Sequence, residues 1–139
     1  NVIGSYQMTR AAAAEMKKQE QAAIVNISST EGINGVGSSI AYASSKGALN
    51  TMTLAFARSL APKIRVNSVC PGFIEGGWWK KIKGEEEYQR FKNLQQEHTL
   101  LEQTNKPEGI ANTAVWLLQK ESLITGEIIR VDAGRHLIS

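Results

Sequence analysis

Three short apolar runs alternate with segments of helical periodicity, and this order constrains the fold more than any other feature of the chain. The runs lie in QAAIVNISS, IRVNSVCPG and GEIIRVDAG, and Val and Ile are prominent in them. Such short runs are typical of buried strands, and helical patterns occupy residues 2–19, 40–60 and 107–119. Apolar strands that alternate with helices predict an α/β fold, with a parallel sheet, right-handed crossovers and helices on both faces.

Prolines mark the limits of several elements. Pro62 is expected to end the second helix, and Pro107 suits the first turn of the last one. Pro71-Gly72 predicts a turn where the second strand ends. Residues 75–104 interrupt the alternation as a long polar excursion that contains aromatic residues and charged helical stretches.

Charge and composition exclude several functional classes. The net charge of the 139 residues is only +3, and three lysines at positions 80–83 are followed directly by glutamates at 85–87. This pattern favours a solvated face over a nucleic-acid site. No apolar run approaches the roughly 20 residues that span a membrane, so no membrane association is expected.

The single cysteine, Cys70, excludes an internal disulfide and offers no zinc spacing. We expect Cys70 to be a small buried residue and the chain to hold no metal. A reducing compartment, and therefore a cytoplasmic location, is the corresponding expectation. Asn26 and Asn67, which lie within strands, are expected to serve the structure through hydrogen bonds.

Tyr42 and Lys46 are one helical turn apart near the start of the second helix. A tyrosine and a lysine at this spacing are by themselves a weak motif and are compatible with a surface pair worth a few tenths of a kcal/mol. Their surroundings add weight. Parallel sheets bind ligands beyond the carboxyl ends of their strands, where Ser28, Ser29 and Pro71-Gly72 are expected.

Several segments together resemble the C-terminal part of the short-chain dehydrogenase/reductase family. They are NVIG, IVNISS, YASSK, IRVNSVCPGFI and ITGEIIRVDAG, which occur in the family's order, and Ser29 precedes Tyr42 by 13 residues, the family's usual interval. The match covers nearly the whole chain except the excursion. It implies a Rossmann-like doubly wound sheet, of which residues 1–139 form the C-terminal part of a single domain, with a substrate-covering excursion at about 75–104.

The resemblance also implies roles for individual residues. Tyr42 corresponds to the general acid that protonates a substrate carbonyl, and Lys46 to the cation that stabilises its phenolate and hydrogen-bonds the nicotinamide ribose. Ser29 corresponds to the hydrogen-bond donor to the substrate oxygen, although a serine there can also simply cap a strand. Asn1 corresponds to the family's asparagine that anchors a water in the proton path, with a plain surface residue as the alternative.

Two further groups follow from the resemblance. Pro71, Gly72 and Ile74 correspond to the turn beside the nicotinamide, where an ordinary strand-ending turn is the alternative. Trp78 and Trp79 would form part of an apolar substrate wall in the excursion, with packing against the domain as the alternative. Ala133-Gly134 replaces the family's common Gly-Gly pair, and Gly76 stands where the family often has a threonine that bonds the carboxamide.

The family's glycine-rich phosphate turn is absent from these residues. Gly32, Gly35 and Gly37 fit neither the G-x-G-x-x-G spacing nor the position after the first strand, so we assign them to a loop near the substrate. The 139 residues are accordingly expected to lack upstream sequence, or to be a truncated product. They are also expected to expose the edge of their first strand and to bind no NAD(H) or NADP(H) measurably on their own.

The resemblance thus predicts an NAD(P)-dependent oxidoreductase that transfers hydride between NAD or NADP and a small-molecule secondary alcohol or ketone. A homo-oligomer, dimer or tetramer, is the family's usual assembly. The alternative is a truncated or non-catalytic fragment without cofactor binding. The presence of Ser29, Tyr42 and Lys46 together favours the enzyme, since no structural requirement demands all three.

Overall fold

A computed structural model describes residues 1–37, 39–119 and 123–138 and confirms the predicted α/β architecture. The helices and strands alternate much as the sequence indicates, with the third strand following the last long helix. In chain order the elements are α1 (Ile3–Met16), β1 (Ala22–Ile27), α2 (Glu31–Asn34), α3 (Ile40–Leu60), β2 (Ile64–Pro71), α4 (Gly77–Lys83), α5 (Glu85–Glu97), α6 (Pro107–Leu118), β3 (Ile128–Val131) and a short 3-10 helix (Arg135–Leu137).

The sheet has the strand order β1-β2-β3 within the described residues, and both pairings are parallel. In the registers, Ala22 lies opposite Ile64 and Ser68 lies opposite Ile128. The central strand β2 is buried at every position except Arg65, which suits its nearly continuous apolar and small-residue sequence. Strand β1 is only partly buried because it lies at the edge of this sheet.

Helices cover both faces of the sheet, as the alternation predicted. Successive strand side chains point to opposite faces, so Val66 packs with α1 and α3, whereas Val69 packs with α6. The first core cluster joins Ala13, Ala57, Leu60, Ile64 and Val66, and the second joins Val69, Ile110 and Leu117, with Val25, Ile129 and Val131 packed against it.

The segment after β1 differs from the predicted loop, because residues 31–34 form the single-turn helix α2. Gly35 ends this helix in the left-handed conformation, with a φ of 71°, which glycine adopts without a steric penalty. The second strand ends at Pro71, so the first residue of the predicted Pro71-Gly72 turn still belongs to the strand. A proline at the last position of a strand is compatible with this pairing.

Buried polar side chains of the strands serve the fold as predicted. The Asn26 amide donates to Thr53 Oγ1 at 2.9 Å, and Asn67 both donates to the Ile124 carbonyl and accepts from the Glu127 amide. Cys70 is buried, as expected. None of the described helices combines the length and hydropathy needed to cross a membrane, and no cluster of metal-ligating side chains occurs in the described ranges.

The excursion consists of α4 and α5 and is closed at its base by Glu75. The Glu75 carboxylate accepts hydrogen bonds from Lys92 Nζ of α5 at 2.7 Å and from Thr104 Oγ1 at 2.6 Å. Although burial by itself raises the pKa of Glu75, these bonds and the charges of Lys92 and Lys106 hold that pKa below its ordinary value. The two ends of the excursion are therefore joined through one carboxylate.

Candidate active site

Tyr42 lies in the first turn of α3. Its backbone amide is capped by the Ser39 side chain at 3.1 Å, so this end of the helix is held by an N-cap bond. The side chain is only partly buried, and within the described part of the chain its hydroxyl makes no hydrogen bond. A phenol without a partner is available to a ligand.

Lys46 follows Tyr42 by one helical turn and lies on the same face of α3. Its Nζ atom is 5.7 Å from the centroid of the Tyr42 ring and donates a 2.8 Å hydrogen bond to the Ile27 carbonyl at the end of β1. Partial burial lowers the pKa of Lys46 below its ordinary value, and Cys70 acts in the opposite direction. Lys46 thus places a cation between Tyr42 and the carboxyl end of the sheet.

The two serines that follow β1 are distinguished by their hydrogen bonds. Ser28 Oγ donates to the main-chain carbonyl of Lys46 at 3.1 Å, so its proton is committed to the fold. Ser29 Oγ accepts from the Glu31 amide at 3.2 Å, and its own proton has no acceptor among the described residues. Ser29 therefore retains a donor that a ligand oxygen can use.

Asn1 precedes the N-terminus of α1 and contacts the N-terminal part of α3. Its side-chain amide donates to Ser45 Oγ at 3.0 Å, and Ser45 Oγ donates to the Tyr42 carbonyl at 2.8 Å. Although Asn1 is exposed, this contact joins it to Ser45, the residue that directly precedes Lys46. The structure thus joins Asn1 to the helical turn that carries Tyr42 and Lys46.

Pro71 and Gly72 lie at the same edge of the sheet. The Pro71 carbonyl accepts from the Thr30 amide at 3.0 Å and the Thr30 hydroxyl at 3.3 Å, which joins the ends of β1 and β2. A side chain at Gly72 would place its Cβ 3.1 Å from the Cβ of Asp132. The close packing of the ends of β2 and β3 therefore favours glycine at this position.

Ile74 forms a parallel bridge with Asn105 just beyond β2. The Asn105 amide group also donates to the Phe73 and Val131 carbonyls, so the start and end of the excursion are tied to β3. A small cavity of about 20 Å³ lies beside this junction and is lined by Gly72, Thr99, Asn105 and Asp132, among others. A space of this size accommodates about one water molecule rather than a substrate.

The two tryptophans of α4 have different environments. Trp78 is 65 % exposed and makes an edge contact with Trp79 at 5.1 Å between ring centroids. Trp79 is partly buried and lies 5.3 Å from Phe91 of α5, which in turn contacts Phe73 at 5.3 Å. Of the two predicted roles, packing against the domain describes Trp79, whereas the Trp78 ring remains free for a ligand.

Of the three glycines after β1, Gly32 and Gly37 are closely packed, whereas Gly35 has open space around it and ends α2. A Cβ at Gly32 would lie 2.5 Å from the Lys46 carbonyl carbon, so the two backbones touch, and Gly37 lies against the Glu31 side chain. The described residues therefore provide no glycine-rich turn that could hold the phosphates of a dinucleotide.

Two further residues of this site, Ser45 and Asn50, were not predicted from the sequence. Both are ordinary helix positions by pattern, since Ser45 falls within the Tyr42–Lys46 turn and Asn50 follows Lys46 by four residues. The only available signal was that a polar residue recurs on the face of α3 that is otherwise apolar. Their partners lie on other elements, which the local sequence does not indicate.

Comparisons with known proteins agree with this geometry. A family model described as enoyl-(acyl carrier protein) reductase matches residues 1–136. The "Short-chain dehydrogenase/reductase homolog YusR" of Bacillus subtilis is 40 % identical over 134 residues, which are 96 % of this chain and 98 % of that protein. The 3-oxoacyl-[acyl-carrier-protein] reductase FabG of Aquifex aeolicus is 36 % identical over 96 % of this chain and 53 % of its own length.

A solved structure titled "ElxO with NADP Bound" superposes with a TM-score of 0.86 at 28 % identity, covering 96 % of this chain and 54 % of ElxO. The chain therefore spans nearly all of the Bacillus homologue but about half the length of FabG and ElxO.

Proposed function

Because the chain belongs to the short-chain dehydrogenase/reductase family, we propose that it supplies the acid–base site of an NAD(P)-dependent oxidoreductase. In this proposal residues 1–139 are the C-terminal part of a single Rossmann-type domain. The reaction transfers hydride between NAD or NADP and a small-molecule secondary alcohol or ketone. The reductase FabG and the NADP-bound ElxO structure support the reaction class and the cofactor.

One observation carries this proposal above the others. The Tyr42 hydroxyl has no hydrogen-bond partner among the described residues, while the Lys46 ammonium lies on the same helix face 5.7 Å from the tyrosine ring. Lys46 also bonds the Ile27 carbonyl at the end of β1, so the pair lies at the carboxyl edge of the sheet, where parallel folds bind ligands.

Side chains of this chain would donate and accept the proton that accompanies hydride transfer. A bound nicotinamide would supply the hydride for reduction of the carbonyl carbon and accept it in oxidation of the alcohol. Tyr42 Oη donates a proton to the carbonyl oxygen in reduction and removes it from the alcohol in oxidation. The positive charge of Lys46 would stabilise the phenolate that Tyr42 forms when it gives up its proton.

Ser29 and Asn1 would assist this proton transfer from two sides. The uncommitted Ser29 proton would hydrogen-bond the substrate oxygen and stabilise the charge that develops on it. Asn1, which contacts Ser45 beside Lys46, would order a water through which the phenolate regains its proton from solvent. Trp78 would form an apolar wall of the substrate site, since its ring is largely exposed.

The cofactor would be held only in part by these residues. Lys46 would donate to the nicotinamide ribose, and Pro71, Gly72 and Ile74 would flank the nicotinamide ring. The phosphates and adenosine find no glycine-rich turn in the described residues, so the 139-residue chain alone should show no measurable heat of NAD(H) or NADP(H) binding in calorimetry. Family members of this kind form homo-oligomers, and we extend that expectation to the complete protein.

Replacing Tyr42 with phenylalanine in the complete protein tests the proposal. Turnover should fall by roughly 10² to 10⁴-fold, the usual contribution of a general acid, while cofactor affinity is largely kept. Tyr6→Phe is the matched control, because the Tyr6 ring packs on Phe56 at 5.6 Å, away from the Lys46 turn. Near-normal turnover by the Tyr42→Phe protein would contradict the assignment.

A non-catalytic binding member of the family is the second candidate. One observation favours it, since the Bacillus homologue matched over 98 % of its length is itself about as short as this chain. The two candidates differ in their response to cofactor. A complete protein that oxidises or reduces no alcohol or carbonyl compound with added NAD(H) or NADP(H), and binds neither nucleotide, would support the second, whereas the first requires the complete protein to do both.

A further inference from the structure

We propose that Asn50 is a positioning residue that holds the Ser29 segment against the Lys46 turn of α3. The inference rests on the proposed function, because it concerns the geometry of the same site. In this proposal, the hydrogen bonds of the Asn50 side chain determine where the Ser29 hydroxyl lies relative to Tyr42 and Lys46.

Asn50 connects three elements through its buried side chain, which leaves the residue only 5 % exposed. Its amide nitrogen donates to the Gly32 carbonyl of α2 at 3.3 Å. Its amide oxygen accepts from Ser68 Oγ and from Cys70 Sγ of β2, each at 3.4 Å. Ser68 Oγ also donates to the Asn26 carbonyl at 3.3 Å, so Cys70 and Ser68 together direct the Asn50 oxygen towards β2 and the nitrogen towards Gly32.

The Ser28–Gly32 segment is thereby bonded to α3 at both ends. At one end Ser28 Oγ donates to the Lys46 carbonyl at 3.1 Å, and at the other the Gly32 carbonyl accepts from Asn50. Ser29 lies between these two bonds. The segment also touches α3 directly, since a Cβ on Gly32 would approach the Lys46 carbonyl carbon to 2.5 Å and the Gly47 nitrogen to 2.7 Å.

The Asn50 bond matters because proton transfer depends on distance. A donor and acceptor must approach to about 2.6 to 3.2 Å, and a misplacement of about 1 Å in an active site costs roughly 10²-fold in rate. Without the Asn50 amide, the Ser28 bond to Lys46 and the Thr30 bonds to Pro71 still hold the start of this segment, but its Gly32 end loses the bond to the Asn50 side chain and can shift relative to Lys46. Ser29 then moves relative to the Tyr42 hydroxyl.

The test compares Asn50→Ala with Thr53→Val in the complete protein. Thr53 is also a fully buried polar residue of α3, but its hydroxyl bonds Leu49 and Asn26 rather than the Ser29 segment. Both variants lose buried hydrogen bonds, so both should lower the unfolding temperature. Only Asn50→Ala should lower kcat, by roughly tenfold to a hundredfold, with the KM for cofactor unchanged because Asn50 lies behind the site.

Each result decides between the proposals. If Tyr42→Phe is inactive but Asn50→Ala keeps the kcat of Thr53→Val, the positioning role is wrong and the proposed function stands. If Tyr42→Phe is active, the proposed function itself fails. Should Asn50→Ala not fold, the double variant Ser68→Ala, Cys70→Ala decides, because it leaves Asn50 in place but frees its amide to turn. A kcat equal to that of Thr53→Val would then overturn the proposal.

Discussion

The Lys46 ammonium donates a 2.8 Å hydrogen bond to the carbonyl of Ile27, the last residue of β1. Ala22 and Ser28 donate their amides to the β2 side. In a parallel strand, the backbone N–H and C=O groups of alternate residues bond the same neighbouring strand. The backbone groups of Ala23, Val25 and Ile27 therefore face away from β2, towards the open edge of the described sheet. Lys46 therefore covers the last carbonyl of that edge while it lies beside Tyr42.

We expect Lys46 to lose its proton at a lower pH than a free lysine, because partial burial disfavours the charged amine. NMR of lysine labelled at Cε, with Lys46→Met to assign the resonance, measures this titration directly. A Lys46 midpoint at or above about 10.4, the value of a free lysine, would contradict the expectation.

The same lowered pKa predicts the direction of a pH effect on stability. Between the folded pKa of Lys46 and its unfolded value of about 10.4, the native state binds fewer protons than the unfolded state. The contribution of Lys46 to the free energy of unfolding therefore rises with pH across that window. The free energy of unfolding of the parent, measured with urea, should therefore rise relative to that of Lys46→Met as the pH increases through this window. A difference between the two proteins that does not change with pH would count against the coupling.

Ser28→Ala and Ser29→Ala should differ in their effect on kcat in the complete protein. Ser29→Ala leaves the Ser28–Lys46 bond intact, so it should reduce kcat by roughly 10²-fold, as loss of one oxyanion donor does, while loss of the acceptor for the Glu31 amide lowers the free energy of unfolding by about 1 kcal/mol. Ser28→Ala removes a structural bond and should lower the free energy of unfolding by about 1 kcal/mol. Steady-state kinetics and urea unfolding on both variants distinguish these roles, and a larger kcat loss for Ser28→Ala would reverse the assignment.

Glu75 should stabilise the chain only while it is ionised. Its folded pKa is lowered, so its contribution is present above the unfolded value of about 4.3 and is lost as the pH falls through the folded pKa. Glu75→Gln should reduce the free energy of unfolding by roughly 1 kcal/mol at pH 7, and the difference should shrink in acid. Thr104→Val serves as the control that removes one bond without removing the charge. A difference that is independent of pH would contradict the ionic role.

Two neighbouring alanines allow the exposed edge of β1 to be tested. Ala22 donates its amide to the Lys63 carbonyl at 2.9 Å, whereas the Ala23 amide faces away from β2. Ala22→Pro should therefore destabilise the chain by about 1 kcal/mol or more, while Ala23→Pro should be tolerated. Ala23→Pro should also suppress edge-to-edge association, which sedimentation at rising protein concentration measures. Equal destabilisation by both prolines would show that the edge is not open at Ala23.

Much of the fold was predictable because its signals are local. Runs of Val and Ile identified the three strands, and Pro62 and Pro107 limited helices that end at Leu60 and begin at Pro107. The helix α2 was missed because one turn carries no periodicity, and its end depends on the left-handed Gly35. The different environments of Trp78 and Trp79 were equally unpredictable, since they depend on the packing of α4 against Phe91 of α5.

By itself, the residue order determined that strands and helices alternate and that Tyr42 and Lys46 share a helix face, because they are one helical turn apart. The spacing left open whether this face is a surface pair or a site, and the position of Lys46 against the end of β1 was decided by the tertiary structure. Only the tertiary structure decided that Ser29 rather than Ser28 keeps a free proton, that Asn1 contacts Ser45, and that Asn50 holds Gly32. These bonds join residues 18 to 44 positions apart. Their partners exist only after the segments have packed.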